Sequence, residues 1–432
     1  MRYFIIFVLF AAPCALLKAA ELSPGIFSIS GFNGMLPFDE LQPLKAMIGK
    51  SDYVGIGEAV HAAGGYADGR FRISRFLIED MGFRSVGIEA PFSAVFPINE
   101  FIRTCSGRPE EAGKGIYRAW KDQGFIDFMR WACEFNNSHA EDPVYFYGFD
   151  PQYQIGYSAA AFRGYLKKYS ALDEPGIGAG IKNCFAVQYE TISALKASDE
   201  FKKLISGAQI PKDDNRRCLA GVAHAALYLK QNKSRLVLRS SQSEYQWAML
   251  HLLTVKQSQL QFFNHNLNKP EAYNARDKAM AELAVKIHDI ENPNSKTVLW
   301  AHNAHLAMQW AKTKPAQYGV KMTGTLLAEK LGSRYFPIAQ VGYSVTVNEG
   351  DLGGNPDVNY EQKKSTDERS LEFHLHKFGA VGILADAKSS YFEPGAYSSL
   401  WMIDEPRELV PHEQFGAYLF FEEVRPFIKW NN

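Results

Sequence analysis

The chain has 432 residues, with 47 Lys and Arg balanced by 47 Asp and Glu, 46% hydrophobic and 22% charged residues, and five cysteines. A chain of this length removes roughly three quarters of its unfolded surface from water, so its core needs no metal or disulfide staple, and its aromatic-rich composition is not that of a disordered chain. The balanced charge lacks the basic excess of a nucleic-acid binder, and nothing after the first twenty residues is apolar for long enough to span a bilayer.

Met1 and Arg2 precede an apolar run from Tyr3 to Leu17, closed by Lys18-Ala19-Ala20. A short positive end, an apolar stretch too short to span comfortably and small residues after it predict a cleavable export signal over residues 1–20. The mature chain is then expected to be periplasmic or secreted, without stable membrane association. Pro13 before Cys14 argues against a lipid anchor. Cys105, Cys133, Cys184 and Cys218 show no CxxC spacing. In an exported protein they permit one or two disulfides, with the pairing open and buried thiols an alternative.

Short apolar runs that stop at Gly, Glu, Asp or His then recur. Tyr53 to Ile56 runs into Gly57-Glu58, Ser85 to Ile88 into Glu89, Val144 to Tyr147 into Gly148-Phe149-Asp150, and Thr297 to Trp300 into Ala301-His302. Apolar runs without alternation predict strands buried on both faces, hence a parallel sheet covered by helices. Between the first two runs, Phe71, Ser74, Ile78 and Met81 follow helical spacing and Gly82 stands where a helix ends, which predicts a helix over Tyr66 to Met81 and a strand–helix–strand unit. Residues 155–292 lack strand runs and are rich in helix formers. They are expected to form a mostly helical insertion between an α/β core of residues 21–154 and its continuation over 293–432. Trp247 and Phe262-Phe263 fit the insertion's own core. Gly350 to Ser365 is expected to be a long loop, and further strands are expected at Phe336 to Val341, Ala380 to Leu384 and Tyr418 to Phe421.

In open parallel sheets, ligands bind where the carboxyl ends of the strands meet helix N-termini. That rule gathers Glu58 and His61, Glu89, Asp150, and His302 and His305 into one crevice. No G-x-S-x-G elbow, H-E-x-x-H helix, P-loop or post-strand G-x-G-x-x-G is present, so the chemistry falls to histidines and carboxylates. Imidazole takes a proton from water near neutral pH, and a neighbouring carboxylate raises its basicity.

These segments, Gly55-Ile56-Gly57-Glu58-Ala59-Val60-His61, Arg70 to Leu77, Tyr147-Gly148-Phe149-Asp150, Arg276 to Glu282 and Val298 to Leu306, resemble the erythromycin esterase family over about residues 40 to 425. The specific feature is a GExxH loop followed about 240 residues later by an AHNAH loop. The resemblance implies an erythromycin-esterase-like α/β fold and a hydrolase that opens a macrolide lactone or other ester by water attack, without metal, cofactor or covalent intermediate. It casts His61 as general base, Glu58 as its orienting partner and Arg70 as a binder of the oxyanion. Glu89, His302 and His305 complete the catalytic set, and Arg72, Asp150 and Asn303 are candidate substrate-binding residues. Val60 and Ala62-Ala63-Gly64-Gly65 are less polar than the resemblance leads one to expect beside the base, which weakens the case for a macrolide in particular. Two other classes fit the same residues: a divalent-metal hydrolase using His61, His302, Glu58 and Glu89, and a non-catalytic exported protein that binds a small ligand. Arg70, Arg72 and Arg75 cannot all face one crevice from one helix, and His374 and His376 carry no assigned role.

Overall fold

The computed structural model describes residues 19–152, 155–170, 181, 184, 212–265, 267–309, 319–348, 360–392, 397 and 410–430. Residues 1–18 of the expected signal lie outside them. The strands are β1 (Glu21–Ser23), β2 (Ile26–Ile29), β3 (Tyr53–Ile56), β4 (Phe83–Pro91), β5 (Tyr145–Asp150), β6 (Lys296–Trp300), β7 (Tyr335–Asn348), β8 (Tyr360–Lys364), β9 (Gly382–Asp386) and β10 (Ala417–Val424). They form one sheet in the order β1-β2-β9-β10-β7-β3-β6-β4-β5, with β8 paired to β7.

From β10 to β5 every neighbouring pair is parallel, as the doubly buried apolar runs predict. All four residues of β3 and the last four of β6 are buried. The β1, β2 and β9 strands continue the sheet in antiparallel sense. Because β6 lies between β3 and β4, the chain leaves β3 toward one edge, returns through β6 and leaves toward the other. That reversal opens the crevice at the carboxyl ends.

The helices near the site are α1 (Gly64–Met81), α2 (Phe92–Thr104) and α3 (Gln123–Ser138). Gly82, at φ 75°, ends α1 in the left-handed conformation expected of a helix-terminating glycine. Phe76, Phe128, Phe146 and Trp300 pack one face of the sheet, the Phe128 and Trp300 rings lying 4.8 Å apart. Between β5 and β6 the described residues include α4 (Ile155–Tyr169), α5 (Lys212–Gln231), α6 (Lys233–Arg239), α7 (Gln242–Asn264) and α8 (Lys269–Glu291). Phe162 of α4, Leu229 of α5 and Leu252 and Val255 of α7 share a separate core. By contrast, α8 buries Met280, Leu283, Ala284 and Ile287 against Tyr147, Phe149 and Leu299, so it packs on the second face of the sheet before β6. Trp247 adjoins Phe92 and Phe96 rather than only insertion residues.

One expectation is corrected. Tyr360–Lys364, within the expected loop, pairs antiparallel with the far end of β7. Its sequence YEQKK has no apolar face, and backbone pairing to a long partner supplies the order that side-chain pattern does not. The cysteines pair as Cys105–Cys133 and Cys184–Cys218.

Candidate active site

The site is built on three strand exits and one helix of the return path. Gly57 leaves β3 so close to the β6 exit that a Cβ there would lie 2.0 Å from Asn303 Oδ1. The Gly57 carbonyl accepts from Gln340 Nε2 at 2.7 Å, and the Glu58 carbonyl from the Asn303 amide at 2.8 Å. Glu58 is therefore fixed by its backbone and is 1% exposed. Its carboxylate holds His61 Nδ1 at 2.6 Å through one oxygen and Arg70 Nη1 at 2.5 Å through the other. Ala62 follows at φ 58°, a left-handed turn that a side chain adopts at a cost of order 1 kcal/mol and that lets α1 start immediately after the histidine.

Burial alone raises the Glu58 pKa, but Arg70 and His61 outweigh it and hold it below the usual value. Burial lowers the pKa of His61, whereas the Glu58 bond and charge, with help from Glu89, raise it overall against opposition from Arg276. The His61 side chain is 27% exposed. Its Nε2 has no hydrogen-bond partner among the described residues, which leaves that nitrogen to face solvent or a bound molecule.

The second exit supplies Glu89. The β4–β5 register slips between Ile88 and Pro91, and a bulge of this kind re-aims a strand's side chains. Glu89 accepts from the His302 amide at 2.9 Å and from Arg276 Nη2 at 2.8 Å, while its own carbonyl accepts from Trp120 Nε1 at 2.7 Å. Burial opposes its charge, yet His305, Arg276 and His61 lower its pKa to about 2.

The third exit carries both remaining histidines. His302 caps the short helix Asn303–Leu306, its Nδ1 accepting from the Ala304 amide at 3.1 Å and its Nε2 donating to the Ala59 carbonyl at 2.9 Å. Burial, then the neighbouring His61, lower its pKa to about 3, so the ring stays neutral in one tautomer 5.0 Å from the His61 ring. His305 Nδ1 donates to Asp277 Oδ1 at 2.6 Å. Asp277 is held in turn by the Thr323 amide at 2.9 Å and the Thr323 hydroxyl at 2.8 Å. Burial works against charge on His305, but Asp277 and Glu89 prevail and its pKa is raised.

Helix α8 contributes Arg276, whose guanidinium donates to both oxygens of Asp150, at 3.3 and 2.6 Å, as well as to Glu89, and lies 3.1 Å from His305 Nε2. The site thus contains two carboxylate–imidazole pairs, Glu58–His61 and Asp277–His305, joined through Glu89 and Arg276.

Of the expected residues, His61, Glu58, Arg70, Glu89, His302 and His305 come together. Arg70 stands differently from its expected role, buried at 3% exposure with its guanidinium 4.5 Å from the Trp120 ring and turned onto Glu58. Three substrate-binding expectations are corrected. Arg72 points to the opposite side, where Glu40 at 3.0 Å and the Gly31 and Pro37 carbonyls engage it, because two positions along a helix turn a side chain away from Arg70. Asn303 is fully buried and donates to the Gln340 carbonyl at 2.9 Å, tying the β6 exit to β7. Asp150 is buried beneath Arg276 and faces that cation. Arg276 and Asp277 were absent from the expected site. Their signal was the Arg276 to Glu282 segment of the family resemblance, but it lay in a stretch read as insertion, and only the packing of α8 on the sheet brings them to the strand ends.

The family model of erythromycin esterase matches residues 78–424. A putative hydrolase, YbfO, of Bacillus subtilis is 22% identical over 316 residues, covering 71% of this chain and 68% of that protein. Erythromycin esterase type II of Escherichia coli is 28% identical over 113 residues, 26% of each chain. Three solved structures share the fold. A Bacillus cereus protein is 20% identical with TM-score 0.72, covering 94% of this chain and 96% of its own. A protein described as acting in succinoglycan biosynthesis is 20% identical with TM-score 0.73 and the same coverage. Erythromycin esterase EreC, solved as a histidine-to-asparagine mutant in its open conformation, is 17% identical with TM-score 0.72, covering 92% and 97%. With the family model spanning most of the sequence, the α/β sheet and the histidine–carboxylate cluster at its strand ends belong to a member of the erythromycin esterase family, a family of hydrolases.

Proposed function

We propose that the chain hydrolyses carboxylic esters, lactones included, by direct attack of water, with His61 as general base. The observation that carries this reading is an imidazole whose Nδ1 is fixed by a buried carboxylate and whose Nε2 is open. Water bound at Nε2 gives up a proton as its oxygen adds to the carbonyl carbon. The carbon–alkoxide bond then breaks, and the departing oxygen takes from His61 Nε2 the proton that the water gave up, while His305, held between Asp277 and Arg276, positions the Arg276 guanidinium. Arg276 stabilises charge on the carbonyl oxygen, since its side chain keeps 13% exposure where that of Arg70 keeps 4%. Arg70 is a positioning residue that fixes Glu58. His302 holds the loop in shape and does not exchange protons, because both its ring nitrogens are engaged.

The test is turnover of an ester and macrolide panel with a chelator present, read by mass for products heavier by one water. His61→Ala is expected to lower turnover by about 10²–10⁴. Unchanged turnover in that variant would remove the assignment, and activity lost to chelation and restored by a divalent ion would transfer it to the metal-dependent reading. The metal-free reading is favoured by the hydrogen bonds that occupy both nitrogens of His302 and Nδ1 of His305.

We further propose that the chain is exported after cleavage that follows Ala19 or Ala20. Two cystine pairs fit an oxidising compartment. The mass of the mature protein tests this, with Ala20 or Glu21 expected as its first residue.

A further inference from the structure

Beside the catalytic cluster, a cavity of about 340 Å³ lies between α7, α8 and the exit of β5. Arg276 belongs to both, lining the cavity while bonding Glu89 and Asp150. The other walls include Gln152, Gln261, Phe262, His265, Lys269 and Tyr273, and none of the described residues that line it is acidic. The volume stands at the compact end of the range of about 300–1,000 Å³ usual for small-molecule sites, which suits one ring and its substituents.

The chemistry of the lining distinguishes what that ring carries. Gln261 is 8% exposed, and its Oε1 is buried without a hydrogen-bond partner. A buried acceptor left unpaired is costly, and native structures rarely tolerate one without a reason. That oxygen has no accessible surface as the amide stands, and exchanging the amide's oxygen and nitrogen sets it toward the cavity. A carboxylate is satisfied by only one of the two orientations and an apolar ligand by neither. A hydroxyl, which donates and accepts, satisfies the Gln261 amide whichever way it is turned, and can also accept from Lys269 or Arg276. Lys269 makes no ion pair among the described residues, and Tyr273 is 50% exposed. Phe262 and Tyr273 supply apolar surface for the C–H face of a saturated ring.

We propose that this cavity receives a hydroxylated ring, a sugar or cyclic polyol, forming one half of the ester substrate. The inference rests on the hydrolytic reading of the His61 site. Water adds to the carbonyl carbon and the carbon–alkoxide bond breaks, so the products are the free acid and the ring with its hydroxyl restored.

The experiment compares glucose 6-acetate with cyclohexylmethyl acetate, which share the acyl group and differ in the ring hydroxyls, on wild type, Gln261→Leu and His61→Ala. The wild type is expected to favour the sugar ester by at least about tenfold in kcat/KM, since a site built for hydroxyls rejects analogues that lack them. Gln261→Leu is expected to reduce that ratio by about tenfold. Binding of glucose alone, followed by saturation-transfer NMR, is expected with wild type and reduced in Gln261→Leu, and this readout needs no turnover. Equal kcat/KM for the two esters, or a ratio unmoved in Gln261→Leu, overturns the sugar cavity while His61-dependent hydrolysis still stands. Hydrolysis of neither ester overturns it too, with or without glucose binding, because the ring is then no half of a substrate, while the ester and macrolide panel decides the hydrolytic reading separately.

Discussion

At the scale of single residues, the site shows how burial and partners divide chemically identical side chains. His61, His302 and His305 stand at one end of the sheet, yet His61 and His305 each have a carboxylate on Nδ1 and are pushed up, while His302 has only backbone partners and is pushed down to about 3. A base must be unprotonated to act, and the His61 pKa lies above 6.5, so kcat/KM is expected to fall on the acid side with an apparent pKa above that value. Glu58→Gln removes the largest raising influence, so the acid limb should move to lower pH as activity drops. A limb that stays in place in this variant would detach it from His61. For Glu89 the sign runs the other way. Its pKa falls from 4.5 to about 2, so its stabilisation is complete above the unfolded value and is lost as pH drops through 4 toward 2. The shift corresponds to roughly 3 kcal/mol, and Glu89→Gln should lose most of its extra acid sensitivity between pH 5 and 2 when denaturant midpoints are compared with wild type.

Elements matter here chiefly through their exits. The β3 and β6 strands end side by side, and the closeness of Gly57 to Asn303 sets the loop that carries Glu58. Gly57→Ala is expected to destabilise by about 1–3 kcal/mol, since the added methyl meets a buried amide that cannot withdraw without losing its bond to the Gln340 carbonyl. Urea unfolding measures this, and a change under half that range would mean that the loop yields. The strand ends were legible because a doubly buried strand must be apolar and must stop where polar residues begin. Helix α8 was not legible in that way. Its sequence reports a helix with small buried residues, but whether those residues face a bundle or the sheet is a matter of packing, and Arg276 and Asp277 reach the site only through that choice.

The whole molecule joins two bodies of packing with different anchors. The sheet and its flanking helices share continuous aromatic cores, whereas α4, α5 and α7 share a smaller core with the Cys184–Cys218 disulfide. Closing a loop of 34 residues contributes roughly 3–4 kcal/mol by the chain-entropy relation. The Cys184→Ser/Cys218→Ser double variant is expected to unfold at a lower temperature than wild type, and an unchanged melting temperature would show that the surrounding core holds these helices unaided.

The amino-acid sequence alone determined the parallel sheet, the α1 helix, the gathering of Glu58, His61, Glu89, His302 and His305, and the family, because each is written in local apolar runs or short ordered motifs. Tertiary structure alone decided that Arg70 braces Glu58, that Arg72 turns to Glu40, that Asn303 and Asp150 are buried supports, and that Arg276 and Asp277 complete the cluster. A side chain's partner is set by what packs across from it, 12 residues away for Arg70 and Glu58 and 187 for Arg276 and Glu89, and local pattern carries no record of which it will be.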